Sequence, residues 1–380
     1  MRALAAVLHR YGTPLEVCEL ELDAPGPGEV QVRVAAAGVC HTDLHLADGH
    51  LGAGRHPIVL GHEGAGIVEA VGDGVAHVGP GDPVAFCFVP SCGACRACAA
   101  GRRNLCEAAS SAAWAGTLLD GSSRLRLADG TPVQHFNFVS CFAERCVVPA
   151  ACAVPIPHSL PLWQASLLGC GVVTAVGAVR NAARVGVGET VCVIGCGGVG
   201  LQLVAAARLA GAGRIIAVEP DQVKRALALA RGASHAVPAG DGEATLAGIL
   251  ALAPGGVDHA FEAVGLPATI RLAWDVLRPG ATAIVVGIAP AGVEFALPAL
   301  ELLSEKGIRG SYYGSGDAAS LLASMAEMTT AGRFSVTDVV THVTGLDGIE
   351  AAFARLRAGE GARTVVLVDA ELAGHGAAAA

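Results

Sequence analysis

Short apolar runs broken by glycine and proline dominate the first 170 residues: Leu15 to Leu20, Glu29 to Ala35, Gly66 to Val71 and Pro83 to Phe88. Runs of this length, bounded by turn formers, predict strands. The apolar opening up to Leu8 reads as one more. Near Thr174 the pattern changes. Alanine-rich helical segments now alternate with the runs Val191 to Ile194, Arg214 to Val218, His259 to Glu262 and Thr282 to Val286. That alternation predicts a parallel sheet covered on both faces. After Tyr313 the pattern predicts a helix over Ala318 to Thr330 and a closing strand over Arg363 to Val368, which return to the first domain. The expected fold class is therefore α/β, a doubly wound parallel sheet beside a mainly-β domain, divided as 1–171, 172–312 and 313–380. The alanine-rich tail after Leu372 is expected to fray.

Composition narrows the function. A chain of 380 residues is long for one core and favours two domains. The formal charge of -9, with no Lys/Arg block, argues against nucleic acid or an anionic membrane as partner and leaves a small molecule as the default. Thirteen cysteines form an odd set in a large chain, which suits thiolate metal sites in a reducing cytoplasm better than a disulfide scaffold. The N-terminal apolar stretch is too short for a secretory segment and lacks a cleavage site. From Cys146 to Val179 there is no Asp, Glu, Lys or Arg. Pro149, Pro155, Pro157 and Pro161 argue against a membrane span there and predict a buried junction of short segments.

The sharpest motif is Cys92, Cys95, Cys98 and Cys106 on one short loop. Four thiolates so spaced can close a tetrahedron around zinc with no open position, a structural site. Arg96, Arg102 and Arg103 offset its charge. An iron–sulfur cluster also takes four cysteines, but no Cys-Pro pattern follows here. A second set is dispersed: Cys40 in Gly38-Val39-Cys40-His41-Thr42-Asp43, His62 and Glu63 in Gly61-His62-Glu63-Gly64, and Cys170 between two glycines. Any one of these alone reads as an ordinary core residue.

The third motif is Val191 to Ile194 followed by Gly195-Cys196-Gly197-Gly198-Val199-Gly200 and a helix from Leu201 to Leu209. Strand, G-x-G-x-x-G and helix are the context a dinucleotide pyrophosphate requires. Gly195 permits the turn, Gly197 the approach of the pyrophosphate and Gly200 close helix packing, with the helix N-terminus favouring the anion. Glu219, nineteen positions after Gly200, can accept hydrogen bonds from ribose hydroxyls and repel a 2'-phosphate, so NAD is expected over NADP. Lys224 and Arg225 could serve a phosphate, although on a helix such residues are more often solvated surface. Thr174, Gly198, Val199, Lys224 and Ile288 complete the expected cofactor set.

Together, Gly61-His62-Glu63 with Gly66, Gly72 and Val75, and the spacing of the four-cysteine loop, resemble the zinc-dependent medium-chain alcohol dehydrogenases across nearly the whole chain. The resemblance implies a GroES-like catalytic domain carrying both zincs and a Rossmann domain for NAD. Cys40, His62 and Cys170 become the catalytic zinc ligands, with a fourth position for water or substrate and Glu63 as an alternate ligand. An open zinc makes an alcohol easier to deprotonate and so favours hydride transfer to the nicotinamide. The resemblance also implies a proton relay from Thr42 through the cofactor ribose to His45, and a role for Asp43 in holding the His62 tautomer. His41 and Arg363 fall where the family contacts the cofactor pyrophosphate.

By the same resemblance Thr42, Phe88, Phe136, Asn137, Ile288 and Tyr312 line the substrate pocket, which suggests a medium-sized apolar or aromatic primary alcohol. The segment Gly116 to Arg124 resembles a loop of the dimeric liver-type and glutathione-dependent formaldehyde dehydrogenase branches, implying a homodimer that pairs sheet edges around Ala283 to Ile288. The glutathione branch uses an arginine that would fall near Ala109 and acidic residues that would fall within His50 to Arg55, and this sequence has neither. The other readings are an S-hydroxymethyl-thiol dehydrogenase, a polyol or amino-alcohol dehydrogenase, and a non-catalytic zinc- and cofactor-binding regulator. Cys170 in the third ligand position, with Thr42 and His45, argues for the alcohol branch.

Overall fold

The computed structural model describes residues 1–51 and 56–375. It divides into two compact units, Met1–Cys170 with Asp317–Ala380, and Gly171–Gly316. Of the stretch His50 to Arg55, positions 52–55 lie outside the described residues, as do positions 376–380 of the tail. Within the described part of the tail, Asp369 caps a short helix, Ala370–Ala373, and Ala373 is buried.

In the first unit, a closed barrel is built from Arg2–Leu8, Glu16–Leu22, Leu125–Arg126, Pro132–His135 and Ile58–Val59. A seven-stranded sheet lies in the same unit, centred on the strand Glu29–Gly38. That strand pairs antiparallel with Glu63–Val71, with Arg363–Leu367 and with Arg145–Pro149. Its run of Val and Ala is buried almost throughout. Gly38 stands opposite Glu63 on one side and Val365 on the other, so the chain just beyond Gly38, the start of Glu63–Val71 and the start of Arg363–Leu367 come together at one end of the sheet.

The second unit carries a six-stranded parallel sheet in the order His235–Val237, Arg214–Val218, Thr190–Ile194, Val257–Glu262, Leu277–Val285, Gly307–Gly310. Counting strands in chain order within this sheet, that is 3-2-1-4-5-6, which reverses beside Thr190–Ile194 and opens a crevice at its C-terminal end. Cys192, Ile194, Ile216, Val218 and Ala260 form a core with the fully buried Trp274, whose indole N–H donates to Glu301 at 2.9 Å. Tyr313–Ser315 belongs to this unit: Gly314 packs on Gly177, and its carbonyl accepts from Asn181 at 2.8 Å.

Two expectations are corrected. The strand Leu277–Val285, which contains Ala283, is paired on both sides, so the free edges of this sheet are His235–Val237 and Gly307–Gly310 instead. The uncharged stretch is not wholly a set of short segments. Its four prolines all precede a 22-residue helical run, Leu162–Ala183, built of mixed α and π turns. Proline therefore does not interrupt it. By length and composition it could cross a membrane, but 89% of its most apolar window is buried within the fold.

Candidate active site

Cys40 follows the central strand and caps the helix His41–Ala47. Asp43, fully buried on its first turn, organises the surroundings. One carboxylate oxygen accepts the Cys40 backbone N–H at 3.1 Å; the other accepts the Gly61 N–H at 3.1 Å and faces His62 Nδ1 at 3.0 Å. The Asp43 contact commits Nδ1 and leaves Nε2 as the ligand atom of His62. Cys170 arrives on the helical run, where Gly169 sits so tightly that a Cβ would lie 2.2 Å from the Phe86 carbonyl oxygen. A side chain at 169 would push the helix, and Cys170 with it, away from the sheet.

The donor atoms of Cys40, His62, Glu63 and Cys170 all lie within 4.8 Å of one another, and all four residues are buried. Their electrostatics fit a cation. Cys170 donates to Cys40 and, against the cost of burial, holds the Cys40 thiol well below its ordinary range with help from His62. Cys170 is pushed well above its own range by that same bond and by burial. Burial alone would lower His62, yet Asp43 and Cys40 raise it to about 10. Two thiols contending for one proton beside a buried imidazole form a soft donor set that a zinc ion satisfies. Glu63 Oε1 is buried without a hydrogen-bond partner, while its other oxygen is ion-paired with Arg363.

Cys92, Cys95, Cys98 and Cys106 likewise gather within 4.8 Å. Backbone N–H groups point at the sulfurs, Cys92 N–H to Cys106 Sγ at 3.3 Å and Cys95 N–H to Cys92 Sγ at 3.4 Å. Backbone donors at Ala94 and Cys95 lower Cys92 to about 6, which favours the thiolate a metal needs. All four corners of this set are cysteine, so a bound zinc has no open position.

Phe88 and Phe136 make T-shaped contacts with the His62 ring, with centroids 5.0 and 5.4 Å away and interplanar angles of 89° and 86°. Asn137 follows with φ 47°. Thr42 is half-buried, its Oγ1 3.5 Å from Cys40 Sγ. His45 lies one turn further along the same helix, and His41 is exposed at the helix start. Arg363 is buried against Glu63 and Gly38, not exposed as a free phosphate contact.

In the second unit the glycine loop has the form its spacing predicts. Gly195 has φ 88°, and a Cβ on Gly200 would lie 1.8 Å from the Gly195 carbonyl oxygen, so the helix Gly198–Leu209 begins hard against the strand end. Buried Glu219 accepts the Cys196 N–H at 2.7 Å and the Asp221 N–H at 3.1 Å, which holds its carboxylate at the loop. Lys224 sits in the first turn of Gln222–Ala230, and Arg225 spends its guanidinium on the Glu219 and Pro220 carbonyls. Thr174 is half-buried on the helical run; Ile288 and Tyr312 are partly exposed beyond their strands.

Two residues escape a reading of the sequence. Glu262, fully buried at a strand end, gathers the N–H groups of Val264 and Gly265 and the Thr269 hydroxyl on one oxygen. Its only signal is a lone acid closing an apolar run. His50 faces His45, and two histidines five apart are the only hint.

A closed four-thiolate site, an open cysteine–histidine site and a dinucleotide fold together define a zinc-binding, NAD-linked oxidoreductase. Residues 26–158 match the Alcohol dehydrogenase GroES-like domain and residues 198–328 the Zinc-binding dehydrogenase family. The S-(hydroxymethyl)glutathione dehydrogenase of Paracoccus denitrificans is 35% identical over 97% of this chain and 100% of its own length. Putative alcohol dehydrogenase D of Mycobacterium tuberculosis is 38% identical over 97% of this chain and 100% of its own. The crystal structure of benzyl alcohol dehydrogenase from Acinetobacter calcoaceticus superposes with a TM-score of 0.90 at 30% identity, covering 97% of this chain and 99% of that one. The chain belongs to the zinc-dependent medium-chain alcohol dehydrogenase family.

Proposed function

We propose that the enzyme oxidises a medium-sized or aromatic primary alcohol to the aldehyde with NAD, reversibly, and that Cys40, His62 and Cys170 hold its catalytic zinc. The observation that carries the substrate reading is the pair of phenylalanine rings, Phe88 and Phe136, packed perpendicular to the His62 ring, an apolar wall beside the proposed metal ligand. Similarity to a benzyl alcohol dehydrogenase supports it. When bound, zinc polarises an oxygen placed in its open position, and NAD accepts the hydride.

The chain's own groups prepare and clear the proton. Thr42 Oγ1, beside Cys40 Sγ, accepts from the substrate hydroxyl and hands its own proton on towards His45, three residues along the same helix face. Burial, and then the neighbouring His50, lower His45 below the ordinary histidine value, so the imidazole stands neutral and ready to accept at pH 7. Asp43 keeps His62 in the tautomer that presents Nε2. Glu219 would hold the adenosine ribose hydroxyls of a bound NAD, and His41 and Arg363 would offer their charge to its phosphates, Arg363 only once released from Glu63.

A second reading has its own support: five of the relatives with full-length similarity, at 35–37% identity, are named S-(hydroxymethyl)glutathione dehydrogenases. Ala109, buried in the helix Glu107–Ala115, puts no arginine there to bind such a conjugate. Assembly is proposed as a homodimer through the free edge Gly307–Gly310, flanked by Leu300 and Leu303, which are 78% and 81% exposed. The setting is proposed as cytoplasmic, where the thiols stay reduced.

The test is zinc content by elemental analysis beside NAD reduction by ethanol, hexanol, benzyl alcohol and formaldehyde with glutathione. About two zincs per chain and highest kcat/KM on benzyl alcohol support the proposal. Preference for the glutathione adduct transfers it to the second reading. One zinc and no turnover overturns both in favour of a regulator.

A further inference from the structure

We propose a third metal site, at the histidine pair His45 and His50, that takes a divalent transition ion such as Ni2+ or Zn2+ and switches off the proton relay. The two Nδ1 atoms face each other 3.4 Å apart. That is long for a nitrogen–nitrogen hydrogen bond. It matches the spacing of two ligands on one tetrahedral ion: Zn–N bonds of about 2.0–2.1 Å at the tetrahedral angle put neighbouring nitrogens about 3.3 Å apart. The backbone sets the two side chains on one turn, because the His50 N–H donates to the His45 carbonyl at 2.8 Å just past the helix end.

The surroundings suit a cation. Asp48 lies on the same turn, its carboxylate steadied by Arg357 at 2.9 Å, with Glu350 on the far side of that arginine. Asp48 and Cys40 both act on His45 as negative groups, and His41 adds a third imidazole with its ring 6.5 Å from that of His45. His50 is exposed, so the remaining coordination positions open to water. Imidazole pairs of this kind bind the borderline ions Ni2+, Cu2+ and Zn2+ in preference to Mg2+ or Ca2+.

The consequence for activity rests on the proposed relay through Thr42 and His45. An ion on His45 Nδ1 occupies the lone pair that would accept the proton, so binding inhibits. It also competes with protons for both rings, so affinity for the ion rises with pH across the histidine range.

The experiment titrates untagged, zinc-replete enzyme with Ni2+ by calorimetry at pH 7.5, following dehydrogenase rate in parallel. Wild type is expected to bind one Ni2+ and lose rate with the same dependence. His50→Gln is expected to bind none, keep both built-in zincs by elemental analysis and show a rate that, whatever its starting value, does not change with Ni2+ concentration. Absence of binding to wild type, or equal binding to His50→Gln, overturns the site. Binding that is lost in His50→Gln but never affects rate upholds the site and overturns the role of His45 in the relay.

Discussion

Glu63 and Arg363, 300 positions apart in the sequence, form an ion pair buried behind the open metal site, with Gly38 packed against both side chains. The pairing follows from sheet register, since both residues start strands that flank the end of Glu29–Gly38. It also gives Arg363 two claims on its charge: it neutralises Glu63 here, and its proposed role toward the cofactor phosphates needs that contact loosened.

Removing one partner of a buried pair leaves the other charge uncompensated, at a cost of about 3–5 kcal/mol. Arg363→Met is therefore expected to lower the thermal midpoint clearly, and Glu63→Gln added to it to restore part of the loss. A calorimetric scan of both variants and wild type with matched zinc content checks this. An unchanged midpoint in Arg363→Met would show that the pair contributes nothing to stability.

Cys40→Ser is expected to abolish turnover and reduce zinc from two to one per chain while NAD affinity holds, because the glycine loop and Glu219 belong to the other compact unit. Asp43→Asn is the graded version. It keeps all three ligands but weakens the hold on His62, so zinc affinity should fall about 10–100-fold in a chelator competition. Equal zinc affinity in wild type and Asp43→Asn would remove Asp43 from that role.

His135 gives the pH prediction. It is fully buried, its Nε2 accepts the Arg124 N–H at 3.2 Å, and burial followed by the Arg124 charge lowers it to about 3. The folded protein thus refuses a proton that the unfolded chain accepts near pH 6.5. This contribution to stability is present above pH 6.5 and is lost as pH falls toward 3, by an amount on the order of a few kcal/mol. Midpoints measured from pH 7.5 to 4.5 should fall less steeply in His135→Gln than in wild type; parallel curves would contradict it.

His41 stands exposed at the helix start where the family resemblance expects a basic phosphate contact. Arginine there would hold a pyrophosphate with a permanent charge and a forked donor set. His41→Arg is expected to slow NADH release several-fold in stopped-flow displacement, and an unaltered rate would count against His41 as a cofactor contact.

The four-cysteine loop and the glycine loop are legible in the sequence because each is local. All the ligands, or all the turn residues and the helix they start, lie within about one turn-and-helix of chain, so spacing alone implies geometry. The same holds for the alternation that predicts the parallel sheet. The open site is different: Cys40, His62 and Cys170 span 130 positions and converge only because Gly38 pairs opposite Glu63 and Gly169 presses on Phe86. Sequence motif and family likeness can nominate those residues, but register and close packing bring them together. The position of the sheet edge, the burial of Arg363 on Glu63, the continuity of Leu162–Ala183 and the facing of His45 by His50 are decided the same way. Each depends on which backbone lies beside which, a long-range outcome that no short stretch of chain encodes by itself.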